Sequence, residues 1–255
     1  RYAWSTQSMA ALMNNFVGDG NGYIGNPDLR PETAHTVSLS GDWHDAARDR
    51  WGLKASTYYT YVSDFIDARR CGFGQCGGTA NLTRTNGFVL LQFANTDAQL
   101  YGLDVSGNTV LAEGPQFGRL DLLGLVSYVK GENVSTGDDL YQIMPLNTKV
   151  SLVHRKASWT TTLEVIGVEG KSHVSRVRNE VRTPGYGLVN LRASYAWKQS
   201  RIDFAVENLF DRFYSLPLGG AYLGQGPSMT TAGIPWGIAV PGMGRSINVA
   251  VTVGF

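Results

Sequence analysis

The chain is short of the residues on which catalysis usually depends. Its 255 residues include two cysteines and four histidines. His35, His44, His154 and His173 are scattered along the chain, and neither a Ser-His-Asp nor a His-Glu-x-x-His spacing occurs. An enzyme is therefore not expected, nor is a resident cofactor. Excess charge is also lacking: 22 basic residues stand against 21 acidic ones, for a net charge of +1. That balance gives no reason to expect nucleic acid as a partner. No apolar run approaches the roughly 18 residues of a membrane helix, which excludes a helical membrane protein. It does not exclude a barrel, because half of each barrel strand faces a polar lumen. There is no initiator Met before Arg1 and no charged-then-apolar leader.

What is present points to strands. Glycine is abundant at 31 residues, aromatics make up 11%, and helix-favouring charged runs are scarce. The last residues are the clearest case. Ile247, Val249, Val251, Val253 and Phe255 alternate with Ser246, Asn248, Ala250, Thr252 and Gly254. A period of two marks a strand with one apolar and one polar face. Similar segments are expected at residues 35–43, 51–62, 88–111, 119–130, 147–155, 159–168, 186–197 and 201–208. The long segment 88–111 has a weak point near Asn95-Thr-Asp97. This makes about nine strands after residue 30, each near or above the roughly 9–11 residues that a tilted strand needs to cross a bilayer.

Short connections alternate with long ones, as in barrels with short periplasmic turns and longer outer loops. Four of the six tryptophans, Trp43, Trp51, Trp159 and Trp197, sit beside the short connections. An indole suits the membrane–water interface; the alternative is that these rings plug the end of a soluble barrel. If the short turns are periplasmic, the final strand runs toward the periplasm.

Cys71-Gly-Phe-Gly-Gln-Cys76 suits a tight loop that brings two sulfurs together, and a small disulfide in an oxidising compartment is the first reading. Metal binding would need further ligands, and no other His or Cys lies close by in sequence. A pair of free thiols is the remaining option. The acids Asp138-Asp139 are expected to be solvated loop residues.

More specific is Asn26-Pro27-Asp28-Leu29-Arg30-Pro31-Glu32. Two prolines in five residues make a rigid, extended segment that cannot be a ladder strand, and it delivers Glu32 to the start of the next strand. The segment resembles the Asn-Pro-x-Leu-x-Pro-Glu box of TonB-dependent outer-membrane receptors. Asn95 to Asp104 resembles that family's Asn…Gly-x-Glu strand, with Asp104 where Glu is usual. Thr183 to Arg192 resembles the segment that opens a late descending strand. Glu207-Asn208-Leu209-Phe210-Asp211-Arg212-Phe213-Tyr214 resembles the Asn-Leu-Phe-Asp-x-x-Tyr box. Gly244-Arg-Ser and the terminal Phe255, an assembly signal for the barrel assembly machinery, complete the set in order.

The resemblance implies an all-β antiparallel transmembrane barrel. Residues 1–255 would be about nine to ten C-terminal strands of a barrel of roughly 22, with the N-terminal plug and early strands absent. It also implies a place in outer-membrane lipid and TonB-energised uptake of a scarce ligand, with the TonB complex contacted through the missing plug. The ligand is expected to be a ferric siderophore or other metal chelate. Arg69, Arg70 and Phe73 beside the cysteines, and Tyr222, Gln225, Met229 and Trp236 in the long loop 214–242, are the candidate ligand contacts. Arginine and aromatic groups suit a planar anionic chelate. Met229 and Met243 hint at copper only weakly, without a neighbouring Cys or His. The alternatives are an autotransporter-type or passive outer-membrane barrel, and a soluble β-sandwich with shorter strands and even loops.

Overall fold

The computed structural model describes residues 17–18, 21–47, 49–71, 89–178, 180–222 and 238–254. Every regular element among them is a strand: β1 (Val17–Gly18), β2 (Asn21–Ile24), β3 (Thr33–His44), β4 (Trp51–Arg70), β5 (Val89–Gly114), β6 (Gly118–Asn133), β7 (Asn147–Lys156), β8 (Trp159–Val168), β9 (Tyr186–Trp197), β10 (Ser200–Glu207), β11 (Ala221–Tyr222), β12 (Ile238–Ala239) and β13 (Ser246–Val253). β3 to β10 and then β13 form one antiparallel meander in chain order. β2 lies parallel to β5, and β1, β11 and β12 make a small separate sheet.

The register gathers the alternating residues into two opposed faces. Leu122, Leu152, Leu163, Leu191, Val206 and Ile247 form one row across successive strands. Leu123, Ser151, Glu164 and Asn190 form a row on the other face. The apolar face is the open one: Val37 is 76% exposed, Val249 67% and Val251 65%. The polar face holds buried groups, with Glu164 7% and Asn190 5% exposed. A soluble sandwich does the reverse, burying its apolar faces against each other. An apolar exterior over a polar interior is the arrangement of a membrane barrel wall.

The two borders of the apolar band carry aromatics. Trp43, Trp51, Trp159 and Trp197 are all exposed at the short-turn end, and Trp159 packs against Tyr195 at 4.8 Å. Tyr59 and Tyr101, paired across β4 and β5, mark the opposite border. Tyr59 lies eight positions after Trp51, about 26 Å at ~3.3 Å per residue, or about 20 Å once the strand is tilted by ~40°.

The short turns are locally specified. Ala157 and Lys198, each the first of two linking residues, have φ of 49° and 53°, the backbone that tight hairpins require. Asp45 accepts hydrogen bonds from the N–H groups of Arg50 and Trp51 at 3.1 and 3.0 Å, and these hold its carboxyl well below the usual carboxylate range.

β4 and β5 run beyond their expected limits and form a ribbon that rises past β6. β5 passes through Asn95–Asp97 without a break. The irregularity lies opposite it, in a bulge between Val62 and Phe65 where Asp64 has φ of 58°.

Candidate functional site

At the end away from the tryptophans, the long connections fold into a cap over the barrel mouth. Leu140, in the connection 134–146, is 3% exposed and packs on Val62 and Ala98, with Phe65, Leu100 and Ile143 around it. A Cβ on Gly131 would lie 2.9 Å from Leu140 Cδ1, so the absence of a side chain there lets the connection lie flat on the strand.

The connection 169–185 holds the cap together. Lys171 and Glu180 form an ion pair with side chains only 1% and 6% exposed. Lys171 Nζ also donates to the Pro217 carbonyl at 3.2 Å. Glu180 accepts from the N–H groups of Gln142 at 3.0 Å and Ser175 at 2.8 Å. One buried pair thereby ties three connections together. Asp138 supplies a second knot. It accepts from the Val177 N–H at 3.1 Å, from Arg176 N–H and Nε at 3.2 and 3.0 Å, and from the Ser175 hydroxyl at 3.2 Å. Burial pushes its carboxyl up, but these hydrogen bonds outweigh burial and hold it below its ordinary value. The expectation of a solvated Asp138 is thus corrected: the residue is 6% exposed, and its charge is stabilised by donors from the next connection.

Arg178 completes the cap, 3.5 Å from Asp67 and stacked over Tyr141 at 4.9 Å and Phe93 at 5.7 Å. Arg70 donates to the carbonyls of Val177 and Arg176 at 3.1 and 2.7 Å, so it anchors the cap. Arg69 donates to Gln92 at 2.9 Å and stays exposed. Cys71 is 3% exposed and disulfide-bonded. Phe73, Cys76, Gln225, Met229, Trp236 and Phe255 lie outside the described residues, as does the side chain of Tyr222, whose backbone pairs with Val17 and Ile238. Among the described residues, no three or more His, Cys, Asp or Glu groups gather as a metal site.

The sequence boxes prove to be fasteners that meet in pairs. Asn26 donates to the Phe93 carbonyl at 2.9 Å, and Glu32 accepts from the Ile66 N–H, just past the bulge, at 2.8 Å. Pro27, Leu29 and Pro31 line a small hollow against Ile66. The second box closes on the last strand. Asn208, 4% exposed with φ of 49°, donates to the carbonyls of Arg212 at 2.8 Å and Met243 at 3.2 Å. Asp211 accepts from the Arg245 N–H at 2.8 Å. Tyr214 stacks on Tyr186 at 4.5 Å. Leu209 donates its N–H to the Val189 carbonyl at 2.8 Å, while Phe210 and Phe213 are 74% and 80% exposed at the rim.

Sequence reasoning missed Lys171, Glu180 and Arg178 and misjudged Asp138. They lie in aperiodic polar stretches, and apart from the Lys171–Glu180 pair itself, which spans nine residues, the contacts that define their roles reach 37 or more residues along the chain.

Comparison with known proteins agrees with this architecture. Residues 2–209 match the family model described as TonB dependent receptor-like, beta-barrel. Heme/hemopexin utilization protein C of Haemophilus influenzae is 30% identical over 210 residues, which is 76% of this chain but 28% of that protein. The chain thus spans under a third of that relative's length. Among solved structures, the copper transporter OprC superimposes with a TM-score of 0.73 at 22% identity, over 90% of this chain and 32% of that one. The ferric enterobactin receptor PfeA from Pseudomonas aeruginosa gives a TM-score of 0.65 at 18% identity, over 92% and 33%. With its lipid-facing strands, aromatic borders and paired boxes, the chain belongs to the TonB-dependent receptors, a family of outer-membrane β-barrel proteins and not of enzymes.

Proposed function

We propose that this chain forms the C-terminal wall and part of the outer-loop cap of a receptor that takes up a metal chelate with energy relayed by TonB. The plug and the strands needed to close the wall would come from the rest of the receptor. Among the described residues, β3 and β13 are paired on one side only, and an open edge is not tolerated in lipid.

The observation that carries this reading is the cap itself, a folded lid crossed by buried ion pairs over a polar lumen. A flexible fringe would suffice for a passive pore, whereas selective capture of a scarce ligand needs a preorganised surface. Arg69 and Arg176 give the cap exposed cations suited to an anionic chelate. The name of the 30%-identical relative favours an iron porphyrin. Copper is the second reading, supported by the exposed thioether of Met243 and the name of the superimposable transporter. The disulfide of Cys71 with Cys76 would stiffen the neighbouring loop.

The test is growth of a strain lacking its own receptors but carrying the full-length receptor. Hemin, ferric enterobactin or limiting copper would be supplied in turn, with and without TonB. Growth on one of them that disappears without TonB is expected. TonB-independent growth on all three, or growth on none, overturns the reading.

A further inference from the structure

We propose that the lumen wall carries a transit site, below the cap, for an anionic chelate with an apolar body; it presupposes the uptake role proposed above. The register sets two rows of residues side by side on the luminal face. Asp42, Lys54, Ser106, Leu125 and Lys149 form one, from β3 to β7. Gly52, Asn108, Leu123 and Ser151 form the other, from β4 to β7. Both rows line a hollow of about 430 Å³.

Its depth separates it from the cap. Lys54 stands three residues after Trp51 at the lower border, about 10 Å along the strand. Val62, on which Leu140 of the cap packs, is eight residues farther along β4, about 26 Å. A ligand held in the hollow has therefore already left the cap.

The floor of the hollow is apolar, with Leu123 and Leu125 38% and 39% exposed. Lys54 and Lys149 flank Leu125, three strand spacings from each other, about 14 Å along the sheet. Neither ammonium is used up by its acid. Lys54 Nζ is 3.8 Å from Asp42 and Lys149 Nζ is 3.9 Å from Glu164, both too long for a hydrogen bond. Glu164 is satisfied without Lys149, because it accepts from Asn190 at 2.9 Å and Arg192 at 3.0 Å. Both ammoniums can thus donate to an incoming anion, and their flexible stems let them close on a body narrower than the gap. Ser106, Asn108 and Ser151 add hydroxyl and amide groups beside the leucines. A chelate whose acidic groups border an apolar ring system meets all three kinds of group. Contacts to exposed lysines are weak, which suits a site that must pass its ligand on.

The experiment uses cells carrying the full-length receptor, with hemin and ferric enterobactin as probes. Surface capture is measured without TonB and the initial rate of uptake with it. In Lys54→Glu with Lys149→Glu, uptake of the transported probe should slow about tenfold, because two attractions become repulsions. Surface capture, which uses the cap, should match the wild type. Equal uptake by variant and wild type overturns the transit site alone, whereas a wild type that takes up neither probe overturns the uptake role and the site with it. Increased sensitivity to vancomycin, a solute too large for a plugged barrel, would mean that these lysines hold the plug, and it also overturns the site. If the charge-reversed receptor lacks heat-modifiable gel mobility, Lys54→Ala with Lys149→Ala decides the matter. Uptake about threefold slower is then expected from the loss of two exposed charge contacts, and an unchanged rate overturns the site.

Discussion

Asn95 and Arg30 are bonded to each other in both directions across 65 residues of sequence: the Arg30 N–H donates to Asn95 Oδ1 at 2.8 Å, and Asn95 Nδ2 donates back to the Arg30 carbonyl at 2.9 Å. The amide imitates a neighbouring strand for a segment whose prolines bar it from an ordinary ladder. The same Nδ2 also donates to the Asp64 carbonyl at the bulge, at 2.6 Å. Asn95→Ala should therefore destabilise the receptor by about 1–3 kcal/mol, the cost of leaving partly buried groups unpaired. Urea-unfolding midpoints of the full-length protein measure this, and an unchanged midpoint would refute the fastening role.

Gly242 and Gly124 make a matched pair. A Cβ on Gly242 would sit 2.0 Å from Cζ of Tyr214, whereas one on Gly124 meets nothing within 4 Å. Gly242→Ala must displace the Tyr214 ring from Tyr186, at a cost of about 1–3 kcal/mol. Gly124→Ala should stay within about 0.5 kcal/mol of wild type. Melting of the heat-modifiable band compares the two, and equal shifts would show that the Tyr214 packing is not needed.

Acid should loosen the cap through Asp138. Its carboxyl is held below the ordinary value in the folded state. Its stabilisation is therefore fully present above the unfolded carboxylate pKa and is lost as pH falls through the lower, folded value. Amides of 175–177 should exchange faster below about pH 4, after correction for intrinsic rates, in wild type but with no such pH step in Asp138→Asn. A step of equal size in the variant would assign the effect to another carboxyl.

Lys171→Met should unsettle all three connections, because it leaves the Glu180 carboxylate buried without its cation. Breaking one side of a buried pair costs about 3–5 kcal/mol. Adding Glu180→Met should recover only part of this, since the N–H groups of Gln142 and Ser175 then lose their acceptor. Full recovery in the double variant, read by protease resistance of the cap, would mean that those two bonds contribute nothing.

The barrel wall was legible because its signal is local. Tyr186–Trp197 and Trp159–Val168 form strands over the very residues whose alternation predicts them, since a two-residue period follows from the pleat. The upper extension of β4 to Arg70 was not legible. After the bulge at Asp64 the alternation changes phase, and the residues beyond it pack on the cap instead of on lipid. Arg70 was identifiable as a cation near the mouth, yet its guanidinium is committed to backbone carbonyls of residues more than 100 positions away.

The amino-acid sequence by itself determined the strands, their two faces, the interfacial tryptophans and the order of the boxes. Each of these depends on neighbours one or two residues apart, or on a side chain's preference for lipid or water. The tertiary structure alone decided what the boxes hold, that Asp138 is buried, and that Lys171 and Glu180 pin three connections. Those facts arise from contacts between distant segments, where a charge leaves water only because the fold supplies its partner.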